Sequence, residues 1–274
     1  MVIELIGLLV LGFAAAVIAY LLGVGGGALI VPILVVFFDF PVHEAVAVSL
    51  VVIVASSLSL TSVNLLKNLV NVKLALYMEL SAIVGAVAGG LISVNISGEA
   101  LAYIFASIMF VTAFIMWKKS EVDTSTSEKP DEMGEFDTSY VDAQSGSIRY
   151  YKVSSVNKTA GFAFFAGIVS GLLGLGGGVF KVPAMNIISK VPIKAATATS
   201  NFMICFTASA GAIPYMLKGY FHPIAAGAMV IGVFAGSKFA TGRLSKVESK
   251  RIKRLFIIFV LFVALQMVYK AVQG

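Results

Sequence analysis

A bilayer core of about 30 Å takes about 20 apolar residues as a helix, and this chain supplies such runs one after another. Five apolar segments, at 3–22, 28–38, 44–64, 74–94 and 100–117, precede a polar stretch, and five more follow it at 159–174, 178–189, 195–217, 223–241 and 255–272. Backbone inside hydrocarbon must satisfy its own hydrogen bonds, so the runs predict helices and the whole predicts an all-α polytopic membrane protein embedded in a lipid bilayer. Composition enters only to close the alternatives: 59% of the residues are hydrophobic and 12% are charged, which excludes an ordinary soluble enzyme. A disulfide scaffold is excluded because Cys205 is the lone cysteine. The second segment of each set is only about a dozen residues long, too short to cross unaided, and reads as a broken or re-entrant helix.

The predicted divisions are a first membrane repeat at 1–117, a linker at 118–158 and a second membrane repeat at 159–274. Eight of the fourteen acidic residues crowd into 121–142. To about Gly134 the linker reads as disordered. Beyond it, 136–141 and 148–153 are β-prone runs around the turn-forming stretch 142–146, which predicts a small hairpin, a wholly flexible tether being the alternative. With both termini outside, sixteen of the twenty basic residues fall on the inner side, with Lys218 and Lys270 outside and Lys181 and Lys238 at membrane depth. The expected location is therefore the cell membrane, with outer termini and a cytosolic linker. The same bias explains the net charge of +6 without any nucleic acid. No basic stretch follows Met1, so no cleavable signal is expected.

Shifting the chain by 151 residues superposes its halves without a gap. Leu21-Leu-Gly-Val-Gly-Gly-Gly-Ala-Leu-Ile-Val-Pro32 falls on Leu172-Leu-Gly-Leu-Gly-Gly-Gly-Val-Phe-Lys-Val-Pro183, and Pro41, Ala45, Ala47 and Ser49 fall on Pro192, Ala196, Ala198 and Ser200. Twelve identities over residues 21–50 rest on Gly, Pro and Ser as well as on common apolar types, which chance matching of hydrophobic runs would not select. An odd number of segments per half makes the second copy enter from the opposite face, so two inverted-topology repeats of five segments are expected, with a substrate site at midplane. The paired Gly-x-Gly-Gly-Gly-x-x-x-Val-Pro motifs resemble those of the sulfite exporter family, TauE/SafE, across both membrane halves. The resemblance implies a membrane transporter of small sulfur-containing anions such as sulfite and organosulfonates.

The glycines at 23, 25, 26 and 27, and at 174, 176, 177 and 178, give backbone freedom at positive φ and leave amides unscreened. Each loop opens a short segment whose first amides lack helical partners, so two helix N-termini are expected to converge on one anion. Tight helix packing through small residues is the competing reading. Pro32 and Pro183 are expected to kink or end these segments. The predicted substrate site comprises Gly25, Gly26, Gly27, Ser49, Gly176, Gly177, Gly178, Lys181, Ser200 and Asn201. Thr197, Ser200 and Asn201 share one helix face that Cys205 and Ser209 continue, whereas Ser56, Ser57, Ser59, Thr61 and Ser62 read as helix glue.

Lys181, whose repeat equivalent is Ile30, is expected to add one cation to one side of the cavity, snorkelling to the headgroups being the alternative. Glu79 reads as sitting near the cytosolic interface beside Lys73; the alternative is a titrating group that couples protons to transport. His43 and His222 read as polar residues at outer helix ends. The register Gly23-x-Gly25-x-x-Ala28 satisfies a loose dinucleotide fingerprint, discounted because no βαβ unit holds it. No metal cluster, cofactor motif, protease motif or phosphate-binding loop is present in the sequence, so neither an enzyme nor an ATP-driven pump is expected. The expected function is a secondary transporter for a small sulfur-containing anion by alternating access, with an anion channel of the same architecture or a small-carboxylate carrier as alternatives. Oligomeric state is open.

Overall fold

The computed structural model describes residues 2–22, 25–118, 125–126, 132–141, 146–243 and 249–273. In chain order the elements are α1 (Val2–Leu22), α2 (Gly27–Phe37), α3 (Val42–Leu66), α4 (Val72–Ser93), α5 (Gly98–Lys118), β1 (Thr138–Val141), β2 (Ile148–Tyr151), α6 (Val156–Leu173), α7 (Gly178–Ile187), α8 (Ile193–Leu217), α9 (Pro223–Arg243) and α10 (Ser249–Gln273). Among the described residues α1, α3, α4, α6 and α9 are long and apolar enough to cross a membrane. Their outward faces carry large apolar side chains such as Leu80, Val84, Phe165, Ile231 and Phe234. Water would oppose such a surface, and lipid accepts it. α2 has 11 residues and α7 has 10, about 16 and 15 Å of helix, half of a bilayer core.

The 151-residue shift reaches into backbone detail. α2, α3, α4 and α5 start at 27, 42, 72 and 98, and α7, α8, α9 and α10 start at 178, 193, 223 and 249. Left-handed backbone recurs at equivalent places: Gly25 and Gly26 with Gly176 and Gly177, Asp39 with Lys190, and Asn68 with Gly219. Packing between the halves recurs with the partners exchanged. A Cβ on Gly85 of α4 would lie 2.1 Å from the Phe164 carbonyl of α6, and one on Gly236 of α9 would lie 2.4 Å from the Phe13 carbonyl of α1. Both helix pairs pack backbone to backbone, as small residues allow in a membrane.

Pro32 and Pro183 do not end the short helices, which run on to Phe37 and Ile187. Each proline removes one ladder bond, and burial along the rest of the helix outweighs that loss. His43 is also not an interfacial residue: it is buried, its Nε2 lies 3.0 Å from the Ser93 carbonyl, and its ring stacks on Tyr220 with centroids 5.0 Å apart.

In the linker, β1 and β2 pair antiparallel, from Thr138 opposite Tyr151 to Val141 opposite Ile148. This hairpin docks on the helices. Tyr140 and Tyr151 are buried with Leu74 and Met78 of α4 and Val182 and Met185 of α7. The Asn71 side chain caps α4 by accepting from the Leu74 amide at 3.1 Å, and its Nδ2 donates to the Phe136 carbonyl at 2.8 Å. Burial pushes the Tyr151 phenol above its ordinary range, and its oxygen accepts from Asn71 Nδ2 at 3.5 Å. Thr126 bridges to Tyr150 through two backbone bonds of 2.9 and 2.8 Å, so the linker is already paired at that point, where disorder was expected. The rest of that expectation falls mainly on 119–124 and 127–131, and the hairpin turn on 142–145, all outside the described residues.

Candidate functional site

The two glycine loops enter α2 and α7 alike. Gly26 (φ 79°) and Gly177 (φ 75°) stand in the N-cap positions in left-handed backbone, with no side-chain cap. The ladder begins where Leu29 and Ile30 donate to the Gly26 carbonyl at 3.1 and 3.3 Å, and where Phe180 and Lys181 donate to the Gly177 carbonyl at 3.1 and 3.0 Å. Amides ahead of those bonds sit at the positive ends of two helix dipoles.

Gly27 brings the loops together. A Cβ there would lie 2.3 Å from the Gly174 carbonyl oxygen, 2.6 Å from Ile53 Cδ1 and 2.9 Å from Leu175 Cα. Gly25 and Gly176 converge on one side chain, with built Cβ positions 3.2 and 3.1 Å from Ile204. Gly26 and Gly177 instead face backward, toward the carbonyls of Ala15 and Ala166 at 3.0 and 3.1 Å. Ser49 joins the loops by donating to the Gly174 carbonyl at 2.8 Å. Ser200, its repeat equivalent, is buried with no partner for its hydroxyl among the described residues. Asn201 is buried beside it, its carbonyl accepting from Ser57. Gly23 lies outside the described residues.

Lys181 is fully buried, so it does not snorkel. Its charge is compensated: Nζ lies 3.0 Å from Glu79 Oε2 and also donates to Thr207, whose hydroxyl donates to Glu79 Oε1. The expected pairing of Glu79 with Lys73 is corrected here. Lys73 is exposed at the start of α4, whereas Glu79 stands about two turns further in and is buried. A carboxylate at that depth needs a partner of similar depth, and α7 supplies it. Lys238, the other lysine placed at membrane depth, is exposed on α9.

Two residues of this network escape sequence reasoning. Thr207 closes the triangle between Glu79 and Lys181; its equivalent in the first repeat is Ser56, a matched pair of hydroxyls that offered a faint signal. Ser170 has a buried hydroxyl with no partner among the described residues, and its Cβ lies 3.4 Å from the point where a Gly177 Cβ would stand, with Lys181 Cε at 3.6 Å from the same point. Its equivalent is Ala19, so the repeat gives no sign of it. The first repeat holds Ile30, Ser56 and, from α9, Val230 where the second holds Lys181, Thr207 and, from α4, Glu79. The site is therefore symmetric in its loops and asymmetric in its charge. Positive helix ends, buried hydroxyls with no partner among the described residues and a buried lysine are groups that can hold a small anion.

Comparison with known proteins agrees with this composition of parts. Residues 8–267 match the family model for the sulfite exporter TauE/SafE. The chain is 27% identical over 272 residues to the probable membrane transporter protein YunE of Bacillus subtilis, covering 97% of each chain. It is 28% identical over 263 residues to the probable membrane transporter protein MJ0441 of Methanocaldococcus jannaschii, covering 90% of this chain and 88% of that one. A shorter match, 33% identical over 97 residues, covers 35% of this chain and 21% of the sulfite exporter TauE/SafE family protein 1 of Arabidopsis thaliana. No solved structure matches the chain. A family match over nearly the whole length, on a chain with several helices able to cross a membrane, identifies this protein as a multi-pass membrane protein that belongs to the sulfite exporter TauE/SafE family.

Proposed function

We propose that this chain is a secondary carrier for a small sulfur-containing anion, of the sulfite or organosulfonate class, and works by alternating rearrangement of two inverted repeats about a midplane site. The observation that carries the reading is the contact of the two glycine loops at Gly27 and Gly174, each loop opening a short helix from its positive end. The binding groups in this reading are Gly25, Gly26, Gly27, Gly176, Gly177, Gly178, Ser49, Ser200, Asn201 and Lys181. Exchange of partners between the Gly85–Phe164 and Gly236–Phe13 contacts supports a two-fold relation between the halves. That relation is what allows one half to rock against the other between two states related by the same two-fold rotation. The basic residues on one side support outer termini and a cytosolic linker.

Counterflow in proteoliposomes tests the reading. Vesicles loaded with sulfite should accumulate labelled sulfite or a competing organosulfonate, saturably and at carrier rates. Absence of exchange for every sulfur anion offered would overturn it, exchange of small carboxylates alone would move the substrate class, and flux at single-channel rates would make the protein a channel. A cysteine at Ser125, in a chain with Cys205 replaced, should react with an impermeant reagent only after cells are opened.

A further inference from the structure

Glu79 and Lys181 are 102 residues apart and meet inside the protein, the side chains 3% and 0% exposed, at 3.0 Å. Lys181 is the buried lysine or arginine among the described residues, and its stem runs beside the Gly177 loop, with Cε 3.6 Å from the point where a Gly177 Cβ would stand. A buried cation already neutralised by a carboxylate has no net charge to offer a second anion. Adding an anion to the pair would leave one uncompensated negative charge away from water, and burying an unpaired charge is strongly unfavourable. The site escapes that cost in one simple way: Glu79 takes up a proton as the anion takes its place on Lys181.

We infer that Glu79 is the proton-coupling group of this carrier and that anion binding at Lys181 is accompanied by uptake of one proton on the Glu79 carboxylate. The inference rests on the carrier reading above and adds its coupling ion. Charge balances at every stage. The empty site holds Lys181 as ammonium and Glu79 as carboxylate; the loaded site holds ammonium, bound monoanion and neutral carboxylic acid. Both are neutral, so neither must be dragged through the bilayer centre as a net charge, and the cycle moves one proton with one monoanion. Thr207 suits the change. Its hydroxyl donates to the carboxylate now, and can rotate to accept from the carboxylic acid once Glu79 is protonated.

The surrounding elements bring little else that titrates. From α8 the groups facing Glu79 are Thr207 and Cys205, the latter close enough to feel both charges of the pair. Lys181 is the charged residue of α7, Lys158 of α6 is exposed, and Lys194 of α8 and Lys73 of α4 are exposed as well. The first repeat carries Val230, Ile30 and Ser56 at the equivalent positions, so one proton site serves one anion rather than two.

The test is calorimetric titration of purified full-length protein in two buffers of different ionisation enthalpy, which counts protons taken up per anion bound. Probes are sulfite and three sulfonates, methanesulfonate, isethionate and sulfoacetate; the first two sulfonates are ionised throughout, so a proton taken up with them goes to the protein. For bound methanesulfonate or isethionate, both monoanions, wild type should take up about one proton at a pH where Glu79 is ionised in the empty site. Affinity should fall about tenfold per pH unit as pH rises above the titration of Glu79, because the proton and the anion are linked ligands. E79Q should bind with no proton uptake and a flat pH profile, and E79D should restore the uptake. Wild-type binding with no proton uptake, or E79Q with undiminished uptake, overturns the coupling and leaves the carrier reading standing. Failure of every probe to bind wild type, together with no counterflow, overturns the carrier reading and the coupling with it. The wild-type count decides the matter even where E79Q fails to fold.

Discussion

Replacing Gly27 with alanine places a methyl group where the two glycine loops touch. The new Cβ would sit 2.3 Å from the Gly174 carbonyl oxygen and 2.9 Å from Leu175 Cα, and ordinary contact begins at 3.4 Å, so the overlap with the oxygen is about 1.1 Å. Two of the three atoms in the way are backbone, and no change of rotamer removes them. The 174–175 backbone must therefore withdraw by about 1 Å, at a cost of about 1 to 3 kcal/mol for overpacking a buried site. Withdrawal also stretches the bond from Ser49 to the Gly174 carbonyl from 2.8 Å beyond bonding distance, adding about 1 kcal/mol. A total of about 2 to 4 kcal/mol should appear as a clear fall in Tm in detergent. Anion counterflow should be lost as well, since the geometry of both loops changes. Gly227→Ala is the control: it lies within α9 with nothing among the described residues inside 4 Å of its built Cβ, so the same chemical change should leave Tm unchanged or raise it, by up to about 1 kcal/mol of helix propensity. A Gly27→Ala protein with wild-type Tm and counterflow would refute the claim that the loops meet at this point.

Lys181→Ala leaves Glu79 buried without its counter-charge, which should cost about 3 kcal/mol in unfolding measurements at neutral pH and lower anion affinity at least about tenfold, whereas Lys238→Ala on the exposed face of α9 should do neither. The two repeat-related serines should separate: Ser49→Ala loses its bond to Gly174 and about 1 kcal/mol, while Ser200→Ala, whose hydroxyl has no partner among the described residues, should leave Tm unchanged and weaken anion binding in titration. Asn71→Ala removes the cap of α4 and the tether to Phe136, so it should lower stability by about 1 kcal/mol and make the linker hairpin more sensitive to limited proteolysis.

Hydropathy is a property of neighbouring residues, and for that reason the sequence by itself determined the ten segments, the two undersized helices and the places where they begin. The repeat was equally legible, because Gly, Pro and Ser at equal spacing demand equal backbone, and the left-handed positions at Gly26 and Gly177 answer to it. Partnership between distant side chains is a different kind of property. Glu79 read as a residue near a helix end because only Lys73 was close to it in the chain; its partner Lys181 stands 102 residues away on a helix that only packing brings alongside. The docking of the linker hairpin on Leu74, Met78, Val182 and Met185 was hidden for the same reason, as was the role of Thr207. A buried charge must be matched at its own depth, and depth is settled by how the helices assemble rather than by the order of residues along them.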